Sequence, residues 1–223
     1  MSRRVVLLTD RLADNGCEHS NARLALISIP TLIIGQFLNR LAIELRDYAH
    51  LHYNSDNDDD DDDVFHLFLS PSDTEQWIHL SPPIVDFVPA ENLFAGESIQ
   101  DVETFAVAHA DALGEMNAEP CVFIGIDEQA MIDGNCILFD RILDDETEDF
   151  SGFHKARIPR SKAWSMQANL SLANVDFEDY CPDADPEAGE RWYTFDDSDD
   201  DEDEKNVTGK KEALDQLARS GHI

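Results

Sequence analysis

One stretch in the second half of the chain brings together side-chain types that bind ligands. Two arginines and an indole are followed by two amides and a carboxylate, at Arg157, Arg160, Trp164, Asn169, Asn174 and Asp176. Guanidinium groups bind anions, and amides both donate and accept hydrogen bonds. These candidate binding residues predict a small-ligand pocket. Alternatively, they predict a structural corner that packs Trp164 and Phe177 into the core, because asparagine and aspartate also favour caps and turns. The sequence favours the structural corner.

The chain carries no recognisable catalytic or metal-binding motif. It has no G-x-S-x-G, Walker, G-x-G-x-x-G or H-E-x-x-H sequence, and its eight histidines are scattered. The aspartate run Asp58–Asp63 lacks the alternation, the glycine and the final glutamate of a calcium-binding loop. We therefore predict no catalytic residues, no metal and no cofactor, and the sequence leans against an enzyme.

The chain is strongly acidic, with 48 Asp plus Glu against 16 Lys plus Arg and a formal net charge of −32. Because a polyanion repels phosphate groups, we expect no direct nucleic-acid binding through a basic face. Between Asp47 and Asp140 there are 22 acids and no Lys or Arg. This distribution fits simple solubility, or a surface that binds a basic protein.

Two acidic runs are the first candidates for contact with a basic partner. Residues 54–63 contain no apolar side chain and predict a disordered loop, and residues 196–204 hold eight acids in nine positions. The candidate acidic interaction residues are Asp58, Asp59, Asp60, Asp61, Asp62, Asp63, Asp199, Asp200 and Asp201. The remaining chain is still acidic, so the runs are an addition to a negative core.

A resemblance to a known family is carried by the segment from Trp164 to Tyr180. Its Asn-Leu-Ser-Leu-Ala-Asn at 169–174 and Asp-Phe-Glu-Asp-Tyr at 176–180 resemble the C-terminal signature of an uncharacterised family, a domain of unknown function in small acidic bacterial and fungal proteins. Residues 5–10 and 85–88 are similar to two strands of that family. The resemblance covers about residues 84–181 plus the first ten, and residues 11–83 depart from it. It implies a fold and a domain boundary, and no activity.

Periodicity predicts a mixture of helices and strands. Apolar residues recur at helical spacing from Phe37 to Ala49, and Ser98 is placed to cap a helix that runs to Leu113. Apolar or alternating runs predict strands at 122–126, 136–139 and 153–158, and Ser161 opens a further helix. The predicted fold class is α/β or α+β, a single small sandwich with helices packed on a central mixed sheet, plus a disordered acidic loop and tail.

We divide the chain into a core at 1–195 with its acidic loop at 54–63, an acidic linker at 196–209, and a short C-terminal helix or frayed tail at 210–223. The uncharged residues 24–39 are interrupted by Pro30 and Gly35 and are too short for a membrane span. They predict a buried strand or turn around residues 29–34, followed by a helix.

The start of the chain has no cleavable signal pattern, and the four cysteines are too far apart for a metal or redox motif. We therefore expect a cytoplasmic or nuclear protein that is not secreted and does not bind membranes. The oligomeric state is left open.

Three functions are consistent with these observations. The favoured one is a non-enzymatic acidic protein-interaction module that binds a basic partner. The second is a small-ligand-binding protein or enzyme with a pocket near Arg157, Trp164 and Asn169. The third is a nucleic-acid mimic, which requires acids held in order on the folded core.

Overall fold

The described strands of the computed structural model form one mixed sheet. The structure describes residues 4–8, 31–46, 48, 65–68, 78–79, 81–84, 97–115, 121–143, 150–196 and 204–223. Within these ranges the strands are β1 (Arg4–Leu8), β2 (Phe65–Phe68), β3 (Ile78–His79), β4 (Val122–Ile126), β5 (Asn135–Leu143), β6 (Phe150–Pro159), β7 (Asp183–Ala184) and β8 (Trp192–Thr194). Their order across the sheet is β3-β2-β1-β4-β5-β6-β8-β7.

Helices connect the parallel strands and cover both faces of the sheet. They are α1 (Thr31–Glu44), α2 (Ile99–Ala108), α3 (Ala110–Glu115), α4 (Glu128–Asp133), α5 (Ala163–Ser171), α6 (Phe177–Tyr180) and α7 (Glu204–Ser220). Strand β1 is parallel to both β2 and β4, whereas β4, β5 and β6 are successively antiparallel. Parallel neighbours need crossover connections. Helix α1 lies in the connection from β1 to β2, and helices α2 and α3 lie in the connection from β3 to β4.

Strand alternation divides the core between the two faces. On the first face, buried residues of α1, α4, α5 and α6 pack with Ile124, Leu138 and Ala156 of the sheet. On the second face, α2 and α3 pack against Phe123, Phe139 and other odd-numbered strand residues. Both faces of β4 are therefore buried, which explains its almost wholly apolar sequence. The predicted sandwich of helices on a central mixed sheet is confirmed.

The observed helix ends agree only partly with those predicted from the sequence. Ser98 caps α2 with a reciprocal capping box to Asp101, as its position predicts. The helix ends at Ala108, and the predicted end at Leu113 belongs to the separate helix α3. Residues 127–134, between two of the predicted strands, contain α4, which Asp127 caps and Gly134 ends in the left-handed conformation (φ 78°).

Helix α1 begins earlier than predicted. Residues 31–34 were expected in a strand or turn, but they form the first turn of α1, directly after Pro30. Proline favours the start of a helix because it lacks an N–H that would be unsatisfied there. The apolar run alone does not distinguish a buried strand from a buried helix.

Helix α7 is longer than the predicted C-terminal segment, and it docks on the core. It begins at Glu204, so the second half of the predicted 196–209 linker is helical. The Asn206 side chain accepts a hydrogen bond from the Tyr48 N–H (2.9 Å), Lys210 donates to the Ser161 carbonyl (3.3 Å), and Leu217 is buried. Near the end of the chain, the Asn39 amide donates to the His222 carbonyl (3.2 Å). Packing of this kind stabilises a helix that would be marginal alone.

Both acidic runs fall largely outside the described part of the chain. The predicted disordered loop at 54–63 and the candidate residues Asp199, Asp200 and Asp201 lie outside the described residues. Among the residues that the structure does describe, no helix has the length and apolarity needed to cross a membrane.

Gly125 of β4 and Gly35 of α1 give a matched pair of Gly→Ala predictions. A Cβ at Gly125 would lie 2.9 Å from Cε2 of Phe139, whose ring stacks on Phe123 (centroids 4.5 Å apart), whereas a Cβ at Gly35 meets nothing within 4 Å. We expect Gly125→Ala to lower the free energy of unfolding by about 1–3 kcal/mol, and Gly35→Ala to raise it by about 0.5–1 kcal/mol. Urea denaturation of both variants tests the packing, and equal effects would contradict it.

Gly209 lets α7 approach Tyr48 closely. A Cβ at Gly209 would lie 2.5 Å from Cβ of Tyr48, so we expect Gly209→Val to displace α7 from α1. Amide hydrogen exchange across residues 204–220 should then accelerate by roughly tenfold or more, while β4 to β6 stay protected. Thr208→Val, at the exposed neighbouring position, adds the same side chain and serves as the control. Similar exchange in the two variants would mean that the Gly209 contact does not hold α7.

Candidate functional site

Arg157, the first of the predicted binding residues, is used in an internal ion pair. It lies on β6 and makes two hydrogen bonds to the carboxylate of Asp127, which is fully buried at the end of β4. The same carboxylate accepts the Ala130 N–H (2.8 Å) at the start of α4. Burying a carboxylate requires such partners, so this arginine stabilises the β4–α4 turn.

Arg160 is almost fully buried and joins three elements. Its guanidinium donates to Glu44 of α1, to the Ala130 carbonyl of α4 and to the Asn135 carbonyl at the start of β5. It also lies 5.5 Å from the centroid of the Phe37 ring. These contacts satisfy the donors of the side chain inside the fold.

The other four predicted residues lie along α5 and the corner after it. Trp164 is partly buried against the first-face core, and the Asn169 amide donates to the Tyr180 hydroxyl (2.9 Å). Asn174 is exposed and its N–H donates to the Asn169 carbonyl (3.0 Å). The Asp176 N–H donates to the Asp179 carboxylate (3.0 Å) at the start of α6. These contacts hold the turn between α5 and α6.

The structure therefore separates the predicted set. Asn169, Asn174 and Asp176 are neighbours at the α5–α6 corner. Arg157 belongs to the second face with the odd-numbered residues of β6, whereas Trp164 packs on the first face. A pocket that uses both side chains would have to cross the sheet.

A cluster that sequence reasoning missed lies beside this corner. Asp140 of β5 is directly opposite His154 of β6, and Glu178 of α6 reaches the same place, with its Oε1 3.6 Å from Nδ1 of His154. We call Asp140, His154 and Glu178 the acid–histidine cluster. The His154 ring lies 5.2 Å from Phe177 and 4.9 Å from Tyr193, centroid to centroid. The strand register that brings Asp140 to His154 has no sequence signal of its own.

Burial and like charges perturb the titration of this cluster. Desolvation, followed by the negative charges of Glu178 and Asp176, raises the pKa of Asp140 to about 7. Desolvation also lowers the pKa of His154, although Glu178 opposes that shift. Near neutral pH, Asp140 is therefore about half protonated and His154 is mainly neutral. Perturbed groups that share a place on the fold mark a candidate functional site.

An exposed acidic surface surrounds the cluster. Residues 176–190 contain seven acids and no Lys or Arg, and six of the acids are exposed. We call this surface the acidic corner; its acids are Asp176, Glu178, Asp179, Asp183, Asp185, Glu187 and Glu190. The acidic run 196–204 starts next to it, because the Asp196 N–H donates to the Tyr180 carbonyl (3.0 Å). A group of ordered, mostly exposed acids thus lies where one of the two runs begins.

Within the described residues, neither the cysteines nor the other potential metal ligands form a further reactive or metal-binding site. Cys136 and Cys181 are buried thiols there, and burial raises the pKa of both to about 12. Such thiols are unreactive, as expected for buried structural cysteines. In the described part of the chain, no group of three His, Cys, Asp or Glu side chains is arranged to hold a metal ion.

Comparison with known proteins identifies the family. Residues 69–191, more than half of the chain, match the family described as Domain of unknown function (DUF6924), and the chain belongs to it. The prediction that the chain belongs to a family of unknown function is confirmed, and the bacterial and fungal distribution and the C-terminal signature stay predictions. The match starts at residue 69, before the expected 84, and ends at 191, beyond the expected 181. It does not include the first ten residues. No curated protein and no solved structure was found to match.

Asp140→Asn tests the electrostatics of the cluster. The pKa of Asp140 rises from 3.8 to about 7 on folding, so its ionisation opposes folding progressively as the pH rises between those values. Below about pH 4 the group is protonated in both states and has no effect. We expect the variant to raise the free energy of unfolding by about 1–2 kcal/mol near pH 8, after allowance for solvent screening, and by little near pH 4. Urea denaturation across this pH range checks it, and a pH-independent effect would contradict the perturbed titration.

Proposed function

We propose that this member of the DUF6924 family is a non-enzymatic interaction module that binds a basic protein partner through the acidic corner. The observation that carries the proposal is the run of seven acids without a base at 176–190, held by α6 and β7 on the folded core. Ordered carboxylates present a fixed pattern to a partner, which a solvated run does not.

The electrostatics of the cluster support this choice of surface. Glu178 and Asp176 act on Asp140 strongly enough to contribute to its raised pKa. The negative potential at the corner is therefore felt below the surface as well as on it. Complementary potentials of this kind increase the rate of association and select partners by the sign of their charge.

Arg191 lies 3.9 Å from Glu190 at one end of this surface, and three other bases of the chain are paired elsewhere. Lys155 pairs with Glu103 of α2, Arg157 with Asp127 and Arg160 with Glu44. Three of the four bases in the locally positive segment 155–162 are thus paired with buried or partly buried acids. This pairing also argues against the alternative of an anion-binding pocket built on Arg157 and Trp164.

The acidic runs extend the proposed contact. Asp58–Asp63 and Asp199–Asp201 add negative charge, and the second run follows the corner along the chain. A nucleic-acid mimic is a special case of this function, in which the basic partner is a DNA-binding protein. The buried thiols of Cys136 and Cys181 support our expectation of a reducing compartment, the cytoplasm or the nucleus.

A charge-neutralised variant of the corner tests the proposal. Glu178→Gln, Asp183→Asn and Glu187→Gln together remove three negative charges from exposed positions. With an oligolysine peptide as the probe, we expect this variant to weaken binding by about tenfold at low salt, and the difference to shrink as salt is added. Fluorescence anisotropy of the labelled peptide measures both.

The matched control removes the same charge from another surface. Glu97→Gln, Glu212→Gln and Asp215→Asn neutralise three exposed acids, one just before α2 and two on α7. The control should bind the peptide nearly as well as the unchanged chain. Equal weakening by both variants would mean that only net charge matters, and the corner would then not be the binding surface.

A further inference from the structure

We draw no further inference here: the strongest candidate, the acid–histidine cluster of Asp140, His154 and Glu178 where β5, β6 and α6 meet, belongs to the candidate site already described, and within the described residues no second observation beside its acids and the raised pKa of Asp140 points to a ligand.

Discussion

The buried guanidinium of Arg160 is the contact on which much of the fold depends. It connects α1 through Glu44, α4 through the Ala130 carbonyl, and β5 through the Asn135 carbonyl, at the point where β6 ends. A buried charge is tolerated only when its partners are in place, so these elements must be assembled together. Helix α5 begins three residues later and leads to the α5–α6 corner. The position of the acidic corner therefore follows from an interaction deep in the structure.

The same requirement explains how the fold uses its few bases. The chain has 48 acids and only 16 Lys plus Arg. A buried or half-buried carboxylate requires a nearby cation more than an exposed one does, because burial removes the water that stabilises its charge. The basic segment 155–162, at the end of β6 and just after it, supplies three of them, to Glu103, Asp127 and Glu44. A group of mostly exposed acids, with no Lys or Arg between them, remains at 176–190. These bases therefore stabilise the folded interior, and many of the acids remain exposed on the surface.

How far the sequence predicts this structure depends on whether a feature is local. The strands β4, β5 and β6, the Ser98 cap and the start of α6 at Asp176 follow from apolar runs and capping residues within a few positions. The first turn of α1 and helix α4 were missed, because short apolar or polar runs do not determine secondary structure. Arg157 and Arg160 were identified as candidate ligand-binding residues, but their ion-pair partners are 30 and 116 positions away. The acid–histidine cluster was missed for a similar reason, since it depends on the register between β5 and β6.

The sheet ends on both sides in very short strands. β3 and β7, the edge strands of the described sheet, are two residues long, and both residues of β7 are exposed, including Asp183. An edge strand presents free backbone groups that can template pairing with another molecule, and short, charged edges discourage it. The acids of the corner therefore have a second consequence, because they stand at one of these edges. The carboxylates that we propose as the contact for a basic partner also protect the sheet from edge-to-edge aggregation with its own copies.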